Sequence, residues 1–215
     1  MRRAAFSCIG LAFFALSSTA QASTFRFDTD PFAGTPALTT PGRQIIGGED
    51  FINFSIANDV FSLDPAAFGV SGPVNFVNAA AGNIPATGVN VVVLESFDDD
   101  NNPATPFGAG QAANLIANQI TTPGAGFFVY FNQGLDLPRL VFSTDLNDNT
   151  ADLKVLARMI NLNGQTGRNA LPNFSAANFE ITSTPVPEPS TLTMIALGAI
   201  GGARRLWRRK RESIA

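Results

Sequence analysis

Phenylalanine sets the terms for this fold. The 215-residue chain carries 19 of them, and in its middle they fall in short runs closed by Gly, Pro, Asn or Asp. Side chains of a strand point to opposite faces at every step, so apolar residues at every second position suit short, half-buried strands. Residues 25–27 alternate in this way. Residues 50–56 repeat the pattern, with Ile52, Phe54 and Ile56 on one side and Phe51, Asn53 and Ser55 on the other. Residues 88–94 form a more continuous apolar run, which predicts a central strand covered on both faces. Residues 126–131 and 139–143 read as two further strands, linked through Gly134 and Pro138. Residues 152–160 then pair with the second of these across the Asn147-Asp148-Asn149 turn, giving a local antiparallel meander.

Helix signals are few. Ala112, Leu115, Ile116 and Gln119 recur at helical spacing in a stretch poor in β-branched residues, which predicts a short helix over 109–119, ended by Pro123 and Gly124. Asp64 as N-cap with Pro65 at the first helical position predicts a single further turn. The sum is a β-rich α+β domain with antiparallel sheets and one or two short helices; an all-β sandwich is the alternative. The phenylalanines are read as core, because stacking on sugars favours exposed Trp or Tyr and only Tyr130 remains between the two ends. Thr39-Thr-Pro-Gly42 recurs as Thr121-Thr-Pro-Gly124, and Val60-Phe-Ser-Leu-Asp64 resembles Val141-Phe-Ser-Thr-Asp145. The residues between them match poorly, so coincidence explains the pair better than duplicated lobes.

The two ends carry transport information. Arg2 and Arg3 precede an apolar run over 4–16, and Ala20-Gln21-Ala22 supplies a small-x-small site, so signal peptidase is expected to cut between Ala22 and Ser23. A twin-arginine signal lacks the rest of its pattern here. A lipoprotein signal would need its cysteine after the apolar run, whereas Cys8 lies within it.

At the other end stand Val186, Pro187, Glu188 and Pro189, then an uncharged stretch over 191–203, then Arg204, Arg205, Arg208, Arg209, Lys210 and Arg211. At about 1.5 Å per residue that stretch covers about 20 Å of a roughly 30 Å hydrocarbon layer. With Leu206 and Trp207 at the boundary and Arg204 and Arg205 reaching for headgroups, a helix over about 190–207 just spans. The cations hold that end in the cytoplasm. Pro187 and Pro189 keep the preceding segment extended and accessible to a processing enzyme.

Proline-bracketed Glu188, a short transmembrane run and a terminal basic cluster resemble the PEP-CTERM sorting signal of Gram-negative bacteria that make exopolysaccharide. The resemblance covers residues 186–211 and leaves the central domain unrecognised. It implies recognition of Pro187-Glu188-Pro189 by an exosortase, a membrane-embedded cysteine transpeptidase, then removal of the tail and transfer to the cell surface or matrix. A plain tail anchor with a proline hinge is the alternative. The organisation expected is therefore a signal peptide over 1–22, a β-rich extracellular domain over 23–185 and a sorting signal over 186–211, comprising the motif at 186–189, the transmembrane segment and the basic cluster at 204–211.

Removing both ends changes the chemistry. Residues 23–189 keep six basic side chains against sixteen acidic ones, a net charge of −10. Nucleic acid is a poor partner for such a surface; solubility outside the cell is the plainer consequence. Cys8 leaves with the signal, Trp207 leaves with the tail, and the chain has no histidine. Disulfides, thiol nucleophiles, Ser-His-Asp triads and the usual zinc sites are thereby excluded from the exported part. Its core alone must hold it together, and a domain of this length buries roughly 70% of its extended-chain surface.

Two Asp/Asn clusters offer hard oxygen ligands at alternate positions: Asp98, Asp100 and Asn102, and Asp145, Asn147 and Asn149. Such oxygens suit calcium. An EF-hand loop also needs Gly at its sixth position and Glu at its twelfth, where these clusters have Pro103 and Ala109, and Thr150 and Leu156. The plainer reading is solvated turns capped by their own Asp and Asn side chains. The residue types thus predict an exported, non-enzymatic surface or matrix protein without catalytic residues or a required cofactor. The alternatives are an extracellular carbohydrate-active enzyme built on carboxylates and a calcium-dependent adhesive module.

Overall fold

Alternation along the strands decides which layer each phenylalanine joins. The computed structural model describes residues 22–102 and 104–182. In chain order the strands are β1 (Thr24–Phe27), β2 (Ile45–Ile46), β3 (Asp50–Ile52), β4 (Val60–Leu63), β5 (Phe76–Ala79), β6 (Val91–Leu94), β7 (Gly126–Asn132), β8 (Leu137–Ser143), β9 (Leu153–Met159) and β10 (Phe179–Ile181). The helices are α1 (Pro65–Phe68), α2 (Ala109–Ala117) and α3 (Gly164–Ala170), and single 3-10 turns stand at Ala81–Asn83, Leu171–Asn173 and Ala176–Asn178.

A seven-stranded sheet runs β2-β9-β8-β7-β6-β5, with β3 joining β9 beside β2, and a three-stranded sheet runs β1-β4-β10. On β7 the odd residues Phe127, Val129 and Phe131 face the small sheet, while Phe128 and Tyr130 face α2. On β6, Val91 and Val93 take the first side and Val92 and Leu94 the second, so the strand is apolar throughout because both of its faces are covered. Three layers result: small sheet, large sheet, helix. The first core is mostly aromatic, with Phe54 and Phe61 stacked at 4.2 Å between centroids and 7° between planes. The second is filled by Phe107, Ala112, Ile116 and Ile120 on and beside α2.

An irregularity keeps this layering intact through β9. Leu140 pairs with Ala157 but Val141 pairs with Val155, so Leu156 is an extra residue in the ladder. Leu153 and Val155 therefore face α2, whereas Ala157 and Met159 face the small sheet. A one-residue bulge is what lets two apolar sets on one strand serve opposite cores.

The β-rich α+β reading holds at the level of class, and the meander β7-β8-β9 is antiparallel as expected. The expectation of antiparallel sheets is corrected elsewhere. β1 and β10 both run parallel to β4, β5, β6 and β7 run parallel to one another, and β2 and β3 run parallel to β9. An all-β sandwich describes the facing sheets but omits α2, which closes the second core. Among the described residues three α-helices stand where the domain was expected to have one or two, because the Gly-rich segment forming α3 carries no apolar periodicity. The run over 88–94 lies one place from the sheet edge, covered there by β5. Regular pairing of residues 50–56 stops at Ile52, yet Ile52 and Phe54 are buried and Phe51, Asn53 and Ser55 are exposed, as the alternation requires. Pro138 is inside β8 opposite Phe131, before the pairing of β8 with β9 begins at Arg139, where its missing N–H costs the ladder nothing.

The predicted helices fit their signals. Asp64 accepts a hydrogen bond from Ala66 N at 2.8 Å, with Pro65 at the start of α1 and Gly69 left-handed at its end. Helix α2 is fastened by Arg43, which donates to Gly110 O and Asn114 Oδ1, both at 2.8 Å, and to Ala151 O at 3.1 Å. The two resembling segments sit in unlike places: Val60–Leu63 centres the parallel sheet, while Val141 lies in the antiparallel meander. The expected signal-peptide and transmembrane helices lie outside the described residues; among those described, no helix is long and apolar enough to cross a membrane.

Candidate functional site

The first acidic cluster is a chain of turns. Asp98 Oδ1 accepts the N–H groups of Asp100 at 3.1 Å and Asn101 at 2.8 Å, Asp100 Oδ1 accepts that of Asn102 at 2.8 Å, and Asn102 Oδ1 accepts that of Ala104 at 3.0 Å. The other oxygen of Asp100 takes the Thr105 hydroxyl at 2.6 Å. That hydroxyl, with the Asn102 N–H, holds the Asp100 carboxyl below its ordinary range. Asp98, Asp99 and Asp100 are exposed and their oxygens lie within 4.8 Å of one another, the one such carboxylate trio among the described residues. The expected set of Asp98, Asp100 and Asn102 is spent largely on backbone, and Asp99 stands nearer the other acids than the alternating pattern implied.

The second cluster is more firmly committed. Asp145 Oδ1 accepts Gly124 N at 3.0 Å and Asn147 N at 2.9 Å, while Asn147 Nδ2 donates to Ile120 O. Both side chains thus tie the β8–β9 turn to the loop after α2. Asn149, the third residue of this set, is exposed.

Sequence reasoning missed the buried charges. Glu49 Oε1 accepts Arg158 Nε at 2.6 Å and a hydrogen bond from Arg139 Nη2, with the Glu49 side chain only 5% exposed. Burial opposes ionisation of this carboxyl, but its own backbone N–H and the two arginines outweigh it and bring the group down to about 2. Arg139 also approaches the Tyr130 hydroxyl at 3.4 Å, and Arg158 covers the exposed Phe51 ring at 5.0 Å. Glu49 is therefore ionised at neutral pH and paired with cations, which suits it poorly to general acid or base work. Nothing local announces it, since its partners lie 90 and 109 residues away.

Two clefts remain. One of about 220 Å³ is lined by Asp30, Asp50 and Lys154, the last donating to Gly47 O at 2.6 Å. The other, of about 340 Å³, is lined by uncharged residues including Ser71, Asn75, Asn90 and Thr122 at the starts of β6 and β7.

The ends of the domain bear on sorting. Ala22 and Ser23 are exposed at the start of β1, and Thr182 leaves β10 with its N–H on Leu63 O at 3.2 Å. β1 and β10 flank β4 in parallel, so chain entry at Ser23 and chain exit at Thr182 lie at opposite ends of the small sheet, about 16 Å apart along the strands. Ala20, Val186, Pro187, Glu188, Pro189, Arg204, Arg205, Arg208, Arg209, Lys210 and Arg211 lie outside the described residues. Their sequence is decisive all the same. Residues 185–210 match the PEP-CTERM protein-sorting motif. This PEP-CTERM motif implies processing by an exosortase and export to the surface or beyond, and it begins three residues after Thr182. Among curated proteins and solved structures, none matches the chain.

Proposed function

We propose that this is an exported, non-enzymatic protein of the cell surface or extracellular matrix, whose β-rich domain is delivered by exosortase and works alongside exopolysaccharide. The observation that carries the reading is the PEP-CTERM match over 185–210, placed directly behind a folded acidic domain. In this account signal peptidase cuts before Ser23, the tail holds the domain transiently at the inner membrane, and exosortase removes it near Pro189. Support for a non-catalytic role comes from the disposition of polar groups. The buried acid Glu49 is neutralised by arginine, and Asp98, Asp100, Asp145 and Asn147 cap backbone.

Cell fractionation tests the sorting. The natural chain is expected at the surface or in the medium, and a Pro187→Ala, Glu188→Ala, Pro189→Ala variant in the inner membrane; release of both forms alike overturns the proposal.

A second reading, a carboxylate hydrolase acting on polysaccharide, is favoured by one feature: Asp30 and Asp50 share a cleft with Lys154. Incubation of the exported protein with acidic and neutral polysaccharides separates the two. No new reducing ends are expected, and hydrolysis abolished by Asp30→Asn or Asp50→Asn would replace the first reading with the second.

A further inference from the structure

Asp59 is a buried carboxylate held by two N–H groups and, among the described residues, by no cation. It is 4% exposed, Oδ1 accepts Ser23 N at 2.8 Å, and Oδ2 accepts Ser55 N at 2.8 Å. Its backbone is fixed as well: its N–H bonds Ser55 O at 2.8 Å and its carbonyl accepts Asn178 Nδ2 at 3.0 Å. Among the described residues no lysine or arginine pairs with it. Each oxygen accepts one hydrogen bond, yet a buried charge without a counter-charge remains costly. The missing cation has one conspicuous source, because the atom at 2.8 Å is the nitrogen of the residue expected to begin the exported chain.

We infer that the α-ammonium group freed at Ser23 by signal-peptide removal is the counter-ion of Asp59. The inference rests on the cleavage before Ser23 in the functional reading above. Hydrolysis of the Ala22–Ser23 bond adds one water: Ala22 leaves with a carboxylate, and the Ser23 nitrogen becomes an amine that is protonated at neutral pH, since an α-amino group ordinarily titrates near ~7.7–8.0. The amide donor is thereby replaced by a charged one at the same position, converting an ordinary hydrogen bond into a charge-assisted pair. The consequence reaches β1. Among the described residues this edge strand pairs only with β4, and Ser23 O receives Val60 N at 3.0 Å directly beside the carboxylate, so the ion pair clamps the first rung of the small sheet. Signal removal thus supplies the charge that secures β1 against β4.

Three measurements test this. Chains with the natural tail retained, in detergent, are released from a cleavable fusion to begin either at Ser23 or with one added glycine. The Ser23 form is expected to melt about 3 °C or more above the extended form, and its α-amino group to titrate above the ordinary range by NMR. Asp59→Asn is expected to erase the difference between the two N-termini; should that variant fail to fold, the melting gap and the α-amino titration decide on their own. Equal melting with an ordinary α-amino titration, or a gap that survives in Asp59→Asn, overturns the pairing. Intact mass of the protein from its native host is expected to place the N-terminus at Ser23, and a different first residue overturns the inference through the cleavage step, even where the melting gap holds.

Discussion

Glu49 and Arg158 stand 109 residues apart in the chain, yet their side chains meet at 2.6 Å where β3 lies against β9. Arg139 on β8 completes the group, so one carboxylate fastens three successive strands of the large sheet at its edge. Glu49→Gln leaves two guanidinium groups facing a neutral amide, and loss of one partner of a buried pair costs about 3 kcal/mol. Denaturant unfolding at pH 7 measures it. The folded-state value of about 2 lies below the ordinary 4.5, so the stabilisation is present above about pH 4.5 and disappears as pH falls toward 2. The gap between natural chain and variant is expected to close over that window, and a gap constant with pH contradicts the assignment.

Phe54 and Phe61 are fully buried and stacked, and they join the small sheet to the rest of the first core. Phe61→Ala is expected to destabilise by about 4 kcal/mol, as large-to-small changes of buried aromatics do. Phe51→Ala, at a residue 65% exposed, removes only its contact with Arg158 and is expected to cost under about 1 kcal/mol. The two melting curves distinguish core from surface phenylalanine.

Gly126 opens β7 where a Cβ would stand 2.6 Å from Asn90 O and 2.5 Å from Leu146 Cδ1. Backbone on one side leaves no room to relax. Gly126→Ala is expected to cost about 2 kcal/mol through overpacking, while Gly124→Ala, with open space at its Cβ, is expected to be close to neutral. Equal effects at the two positions contradict the packing described.

Calcium is expected to leave the melting temperature unchanged at millimolar concentration relative to chelator. Asp145, Asn147 and Asn102 already serve backbone groups, and the remaining oxygens of Asp98 and Asp99 are exposed on one loop. A rise of several degrees with calcium would restore the first cluster as a metal site.

What was legible in the sequence is what is decided locally. The Asp64–Pro65 start of α1, the span of α2, the alternation over 50–56 and the β7-β8-β9 meander each depend on residues close together, and each stands in the fold. Parallel pairing leaves no such trace. β1 and β10 join β4 from opposite ends of the chain, and no turn between partners signals the match. Helix α3 was missed because Gly164 and Gly167 mask any amphipathic period. Glu49 and Asp59 escaped notice for a related reason: an acid looks the same in sequence whether it is solvated or held by distant partners. The sorting motif was legible because its parts are contiguous and physical, namely prolines, a short apolar run and cations.

The most direct test of the whole account is mass spectrometry of the mature protein from its native host. A C-terminus at or near Pro189, with or without a covalent addition there, is the predicted result. An intact chain ending in the Arg204–Arg211 cluster would contradict processing by exosortase and leave a tail-anchored protein instead.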